Sequence, residues 1–315
     1  VLTYTVFMPE LPEVHTTVTG LQKVLPGLVI SDVWTDLAKK DQRISQFKNT
    51  LKDESFYKKF KKELVGKKVL GVTRRAKNIL IQLSGNNTIL IHMKMTGHLL
   101  FGKYIYEKKS DSWSVSPDEK NDALRDPYNR FIHAVFTFSN KKHLVFCDAR
   151  KFGKITLLPT NDAENTIHLK NIGPEPLDKS FTKEKFIARL TTRPNMKIKQ
   201  ALMDQSLVAG VGNIYSDEAL WLSCVAPKRI ISSLSQKEFS LIYNSIKGVL
   251  TKGIDFGGDS TSDYRQIDGS RGSFHHNHNV YRKKNEKCGK PRCDGVILRN
   301  VIGGRSAHYC SVLQK

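Results

Sequence analysis

The apolar positions at the head of the chain fall on one helical face. Val14, Val18, Leu21 and Leu25 recur at three- and four-residue intervals after Pro9-Glu10-Leu11-Pro12, and Pro26-Gly27 stops the pattern. Strand-like runs follow. Leu80-Ile81-Gln82-Leu83 and Ile89-Leu90-Ile91 flank Ser84-Gly85-Asn86-Asn87, which predicts a hairpin. Residues 134–138 and 143–146 flank Ser139-Asn140-Lys141-Lys142 and predict a second. Between 106 and 130 the chain is polar, of mixed charge, and carries Pro117 and Pro127; it reads as a surface insertion with the character of a spacer loop. Gly173-Pro174-Glu175-Pro176 marks a domain boundary, and helical sequence follows it. Ser235 with Glu238 forms a capping box, Phe239, Ile242, Ile246 and Val249 continue at helical spacing, and Gly253 is read as the stop. Residues 257–274, rich in Gly, Ser and Asp, read as a flexible loop.

Composition narrows the class of partner. A chain of 315 residues suits two domains and an appendage. Its 51 Lys and Arg against 30 Asp and Glu leave a net charge of +21. Such an imbalance favours a polyanion, with nucleic acid ahead of membrane because no amphipathic basic helix stands out. A ribosomal or histone-like binder fits composition equally well. No apolar run approaches the ~20 residues of a membrane span, and residues 1–7 lack the basic start and apolar core of a signal peptide. Cys147 and Cys224 stand alone while Cys288, Cys293 and Cys310 crowd the C-terminus. An odd, clustered set suits a reducing cytoplasm and a metal site better than a disulfide framework.

Specific motifs go further. Met8-Pro9-Glu10-Leu11-Pro12-Glu13-Val14 is followed by Arg74-Arg75-Ala76-Lys77, His92-Met93-Lys94-Met95-Thr96-Gly97 and Asp148-Ala149-Arg150-Lys151-Phe152-Gly153. Then come Gly173-Pro174-Glu175-Pro176-Leu177, Ile198-Lys199-Gln200, Gly210-Val211-Gly212-Asn213-Ile214-Tyr215 and Gly303-Gly304-Arg305-Ser306-Ala307-His308-Tyr309-Cys310. In this order the blocks resemble bacterial formamidopyrimidine-DNA glycosylases (the Fpg/Nei family) from residue 8 to the end. Leu11 after Glu10 favours the purine-excising branch over relatives of endonuclease VIII, which usually have glycine there.

The resemblance implies an α+β multidomain fold: an N-terminal two-layer β-sandwich with a helix, a helix–two-turns–helix domain, and a C-terminal zinc-finger-like hairpin. The expected divisions are residues 1–7 as an extension preceding the biological start at Met8, 8–158 as the sandwich, 159–180 as linker, 181–264 as the helical domain, and 265–315 as lesion loop and hairpin. The implied activity is removal of 8-oxoguanine and formamidopyrimidines from duplex DNA, followed by strand cleavage. Oxidised-pyrimidine excision and silent binding of damaged DNA are the alternatives. A monomer is implied, with no redox or nucleotide cofactor and no membrane partner.

Residue roles follow by the same resemblance. With Met8 removed, Pro9 presents a secondary amine less basic than a lysine, able to attack C1′ of a damaged nucleotide. Glu10 then serves as general acid and base. Lys77 and Arg305 assist at the lesion and the DNA backbone. Lys199 and Asn213 grip phosphate on either side of the Gly210-Val211-Gly212 turn, whose N–H groups and following helix N-terminus attract an anion. Glu218 is a secondary helper, alternatively a plain helix charge. Met95, Arg150 and Phe152 fill the gap left by an extruded base, although Met95 and Phe152 taken alone read as core residues. Ser260 and Thr261 align with the segment that covers the base.

The terminal element departs from the family's four cysteines. Cys293 and Cys310 keep the sixteen-residue spacing, Cys288 gives C-x4-C, and the fourth position is Leu313, which cannot bind metal. Zinc on three thiolates, completed by His276, His278, His308 or water, and a metal-free hairpin held by packing both stay open.

Overall fold

The computed structural model describes residues 8–38 and 48–315; the proposed extension, residues 1–7, lies outside them. Helix α1 (Leu11–Val24) buries the predicted face, with Val14, Leu21 and Leu25 fully enclosed. Eight strands then form two antiparallel sheets. One runs β1 (Ile30–Thr35), β8 (Ile132–Phe138), β9 (His143–Asp148), β5 (Gly97–Gly102); the other runs β10 (Lys154–Pro159), β4 (Asn87–His92), β3 (Asn78–Leu83), β2 (Val69–Arg75). Both predicted hairpins are present, β3–β4 and β8–β9, in the registers Ile81↔Ile89 and Val135↔Val145. Alternate side chains of both sheets meet α1 and α2 (Glu54–Leu64) in one core, in which Phe60 and Phe136 pack edge to face.

The 106–130 segment is not a plain spacer. Tyr104–Glu107 (β6) pairs with Ser112–Val115 (β7), and two short 3-10 turns follow at Asp122–Arg125 and Pro127–Arg130. Leu124 is buried in a small core with Leu100, Val135 and Val145.

The chain forms two compact units. The first holds residues 13–170 and Gly257–Gly272; the second holds Glu10–Pro12, Asn171–Phe256 and Ser273–Lys315. The change from the first unit to the second falls at Lys170/Asn171. Gly257–Gly272, however, groups with the sandwich instead of dividing between the helical and terminal domains.

In the second unit, α3 (Lys183–Thr191), α4 (Ile198–Met203), α5 (Asn213–Leu222) and α6 (Gln236–Asp255) precede the hairpin β11 (Ile297–Ile302)–β12 (Arg305–Cys310). The capping box starts α6 as predicted. Gly253 does not end it. The helix runs on to Asp255, and a Cβ on Gly253 would lie 2.5 Å from the Tyr215 ring, so this glycine serves close packing while Gly257 (φ +69°) follows the helix in the left-handed region. Among the described residues, no helix is long and apolar enough to cross a membrane.

Candidate functional site

The second unit builds a carboxylate receptor from a glycine turn. Leu11 donates its N–H to Gly210 O at 3.0 Å. Gly210 has φ +82°, and a Cβ there would strike Leu11; a Cβ on Gly212 would sit 2.4 Å from the Glu10 carboxyl carbon. Both glycines are therefore needed for the chain's head to lie so close. α5 starts with no side-chain cap of its own. Glu10 supplies one across 204 residues: Oε1 accepts the Ile214 N–H at 2.9 Å and Oε2 that of Tyr215 at 3.5 Å. The anion held here is the chain's own carboxylate, and its donors belong to the first turn of α5 that follows the glycines. Glu10 is 2% exposed, so the helix N-terminus replaces its solvation. A carboxylate so fixed is able to give and take a proton.

Lys199 departs from expectation. It is fully buried, and its ammonium meets Asp217 Oδ1 at 2.5 Å, Ser216 Oγ at 3.2 Å and Asn213 O at 3.4 Å. All three of its protons point at protein acceptors, which leaves none for phosphate in this arrangement. Asp217 is shared: Oδ2 accepts from His308 N at 2.9 Å and contacts His308 Nδ1 at 2.9 Å. The triad thus joins α4, α5 and β12. Asn213 is half-buried at the start of α5, with Nδ2 3.2 Å from both Tyr281 Oη and Ser306 Oγ. Glu218 is neither a surface charge nor aimed at substrate: it is 1% exposed and accepts the N–H groups of Asn279, Val280 and Tyr281. Arg305 is exposed beside the two-residue turn Gly303-Gly304, whose positive φ values (57° and 74°) suit a tight hairpin.

The first unit gathers the remaining predicted residues. Lys77 lies in the Ala76–Lys77 turn between β2 and β3 and is 7% exposed. Cations crowd this region: burial, then Lys94, Lys77 and Lys154, push His92 down to about 3. Burial, reinforced by the charge of Lys94, also lowers Lys52 and Lys154. A surface that penalises its own positive charge in this way is prepared for a polyanion. Met95 is half-buried, and neither Arg150 nor Phe152 belongs to the core. Phe152 is 46% exposed with the Arg150 guanidinium 4.6 Å from its ring centroid. Asp148, whose side chain the motif reading passed over, shapes this turn. It takes the Gly153 N–H at 2.6 Å and binds the Thr96 hydroxyl beside Met95. One buried carboxylate therefore orders both loops that carry the three intercalation candidates; nothing in the local sequence marks it, since its partners lie 5 and 52 residues away.

At the C-terminus the sulfurs of Cys288, Cys293 and Cys310 lie within 4.8 Å of one another. They receive N–H groups from Trp221 Nε1 at 3.3 Å and from Gly295, Val312 and Leu313 at 3.4 Å, which suits thiolate ligands. Three donors fit a metal ion. The Leu313 side chain packs against the same cluster, and none of the three candidate histidines joins it. His308 in particular is committed to Asp217.

Two glycine substitutions should act in opposite directions. Gly212→Ala pushes a methyl into the Glu10 carboxylate and should cost about 1–3 kcal/mol. Gly248→Ala, exposed inside α6 with nothing within 4 Å, should stabilise by about 0.5–1 kcal/mol. Urea midpoints measure both, and equal shifts would contradict the close contact at Gly212.

Comparison with known proteins agrees with this geometry. Residues 8–155 match the formamidopyrimidine-DNA glycosylase N-terminal domain and residues 172–265 the formamidopyrimidine-DNA glycosylase H2TH domain. The chain is 36% identical over 310 residues to the formamidopyrimidine-DNA glycosylase of Pelotomaculum thermopropionicum, covering 98% of this chain and 99% of that one. With the Ruegeria pomeroyi protein of the same name it shares 35% identity over 310 residues, covering 98% and 100%. A solved complex between Lactococcus lactis Fpg and an abasic site containing DNA has a TM-score of 0.79 at 31% identity, covering 97% of this chain and 99% of that one. Identity at this level along the whole length, with a shared fold, places the chain in the formamidopyrimidine-DNA glycosylase family of base-excision-repair enzymes.

Proposed function

We propose that the protein releases oxidised purines, 8-oxoguanine and formamidopyrimidines, from duplex DNA and then cuts the strand through a proline-linked intermediate. The observation that carries this reading is the Glu10 carboxylate, buried and held at the N-terminus of α5 next to Pro9 in the chain. In the sequence as given Met8 acylates the Pro9 nitrogen, so the reaction requires a chain that begins at Pro9. Its neutral amine attacks C1′, and the bond from C1′ to the base breaks as the base leaves with a proton. Glu10 gives a proton to the ring oxygen, the sugar opens, and a positive iminium joins Pro9 to C1′. The iminium acidifies the C2′ proton; its removal expels the 3′ phosphate, and a second elimination expels the 5′ phosphate.

The other residues take roles that suit their surroundings. Lys77, within its group of cations, meets backbone phosphate, and the exposed Arg305 reaches the backbone from its hairpin turn. Asn213 offers its carboxamide beside the carboxylate receptor. Lys199 acts at one remove, holding Asp217 and hence the start of α5 in place. Exposed Phe152 and Arg150, with Met95, enter the space left by the extruded base. Zinc on Cys288, Cys293 and Cys310 would hold the base of the terminal hairpin and supplies no chemistry to the reaction.

Borohydride reduction tests the nucleophile. Protein beginning at Pro9 should become covalently joined to duplex containing 8-oxoguanine. Glu10→Gln should slow base release by about a hundredfold or more, and protein retaining residues 1–8 should give no adduct. An equal adduct from the extended chain would refute the proline mechanism.

Zinc is tested by metal content. Reduced protein should bind about one zinc per chain, and Leu313→Cys should raise the affinity at least tenfold by completing a tetrahedral site. Unchanged affinity in Leu313→Cys would show that position 313 is not a corner of the site.

A further inference from the structure

The residues between β5 and β8 have no part in the reaction proposed above, yet they enclose a charge that composition alone assigns to the basic tail. Arg265, one of eleven basic residues in the last 51, has a fully buried side chain. Its Nε and Nη2 donate to the two Asp126 oxygens at 3.0 and 3.1 Å, a two-pronged pairing that fixes direction as well as distance. Nη1 donates to Ser262 O and Tyr264 O at 2.7 and 2.8 Å, and the Tyr128 ring centroid lies 4.8 Å from the guanidinium. Burial works against the Asp126 carboxylate; hydrogen bonds from Arg265 and the Tyr128 amide, with the charges of Arg265 and Arg271, still hold it below the ordinary range.

Further ties join the same two segments. Asn121 Nδ2 donates to Asp268 O at 2.6 Å, and Phe101 N donates to Ile267 O at 2.7 Å. Gly269 (φ +85°) lies so close that a Cβ would come 2.4 Å from Ala123 O. At the far end of the segment, Glu13 Oε1 takes the Asp259 N–H at 2.8 Å, and Tyr264 Oη donates to Glu13 O at 3.0 Å. Residues 261–263, partly exposed, lie between these two sets of ties.

We infer that the insertion around residues 121–128 is a buttress for the 257–272 segment, and that Asp126 and Arg265 are positioning residues that preset this segment to hold an extruded oxidised base. The inference rests on the function proposed above, in which Ser260 and Thr261 belong to the part that covers the lesion. Its physical content is preorganisation: a loop already tethered at both ends loses less freedom when it closes. Holding the base matters for base release. A preformed abasic site has no base to hold, so its cleavage does not draw on the buttress.

The two half-reactions therefore separate the role from general damage. Asp126→Asn removes the charge facing Arg265, and Asn121→Ala removes a peripheral tie without stranding a buried cation. Each should lower release of 8-oxoguanine relative to cleavage of a preformed abasic site, by at least tenfold for Asp126→Asn and about threefold for Asn121→Ala. Amide exchange at residues 266–272 should accelerate in both variants while β3 and β9 keep their protection. Unchanged exchange in that segment overturns the buttress. Faster exchange with an unchanged ratio of the two rates overturns the positioning role. If the unmodified protein releases no oxidised purine, the function proposed above is what fails, and amide exchange still decides the buttress.

Discussion

A carboxylate withdrawn from water needs N–H donors, and Glu10 finds them at the uncapped start of α5. The rest of that neighbourhood is arranged around this contact. Two glycines, one with a left-handed backbone, clear the space for Glu10 and Leu11. Lys199 and His308 both bind Asp217 one turn further along α5 and hold the helix to α4 and β12. Glu218, the next residue, gathers the backbone N–H groups of Asn279 to Tyr281, and Tyr281 in turn touches Asn213. A helix of ten residues is thus tied by buried charges along its length, and its one free end is occupied by the proposed proton donor.

The same division of labour runs through the other charged residues. Glu10, Glu13, Asp148, Asp217, Glu218 and Asp259 are all buried, and each of these carboxylates takes part in hydrogen bonds within the protein. Acids are used inside, where loops and helix ends need acceptors; Lys52 and Lys154 lie where burial and the charge of Lys94 already penalise their own charge. Losing either partner of a buried ion pair is far more harmful than losing a surface pair. Stability and DNA affinity consequently depend on different members of the charged set.

Much of this was legible from sequence, for physical reasons. The hairpins β3–β4 and β8–β9 announce themselves through β-rich runs around polar turns, and α6 through its capping box, because these signals are local. The helix that starts after Gly210-Val211-Gly212 was legible as well, but not that Glu10, 204 residues from Ile214, occupies its N-terminus. Lys199 reads as a phosphate ligand until Asp217 is placed beside it, and Arg265 as a tail cation until Asp126 is. The 106–130 segment reads as a spacer loop because strands of four residues are too short to show alternation. Gly253 reads as a helix stop because sequence does not reveal the Tyr215 ring packed against it.

The central claim is that the Glu10 carboxylate rests on the backbone of α5. Nuclear magnetic resonance of the Ile214 and Tyr215 amides across the acidic range tests it directly. Both signals should move together with a single carboxylate titration, and the movement should disappear in Glu10→Gln. Amides that stay still in the unmodified protein, or that titrate unchanged in the variant, would contradict the account.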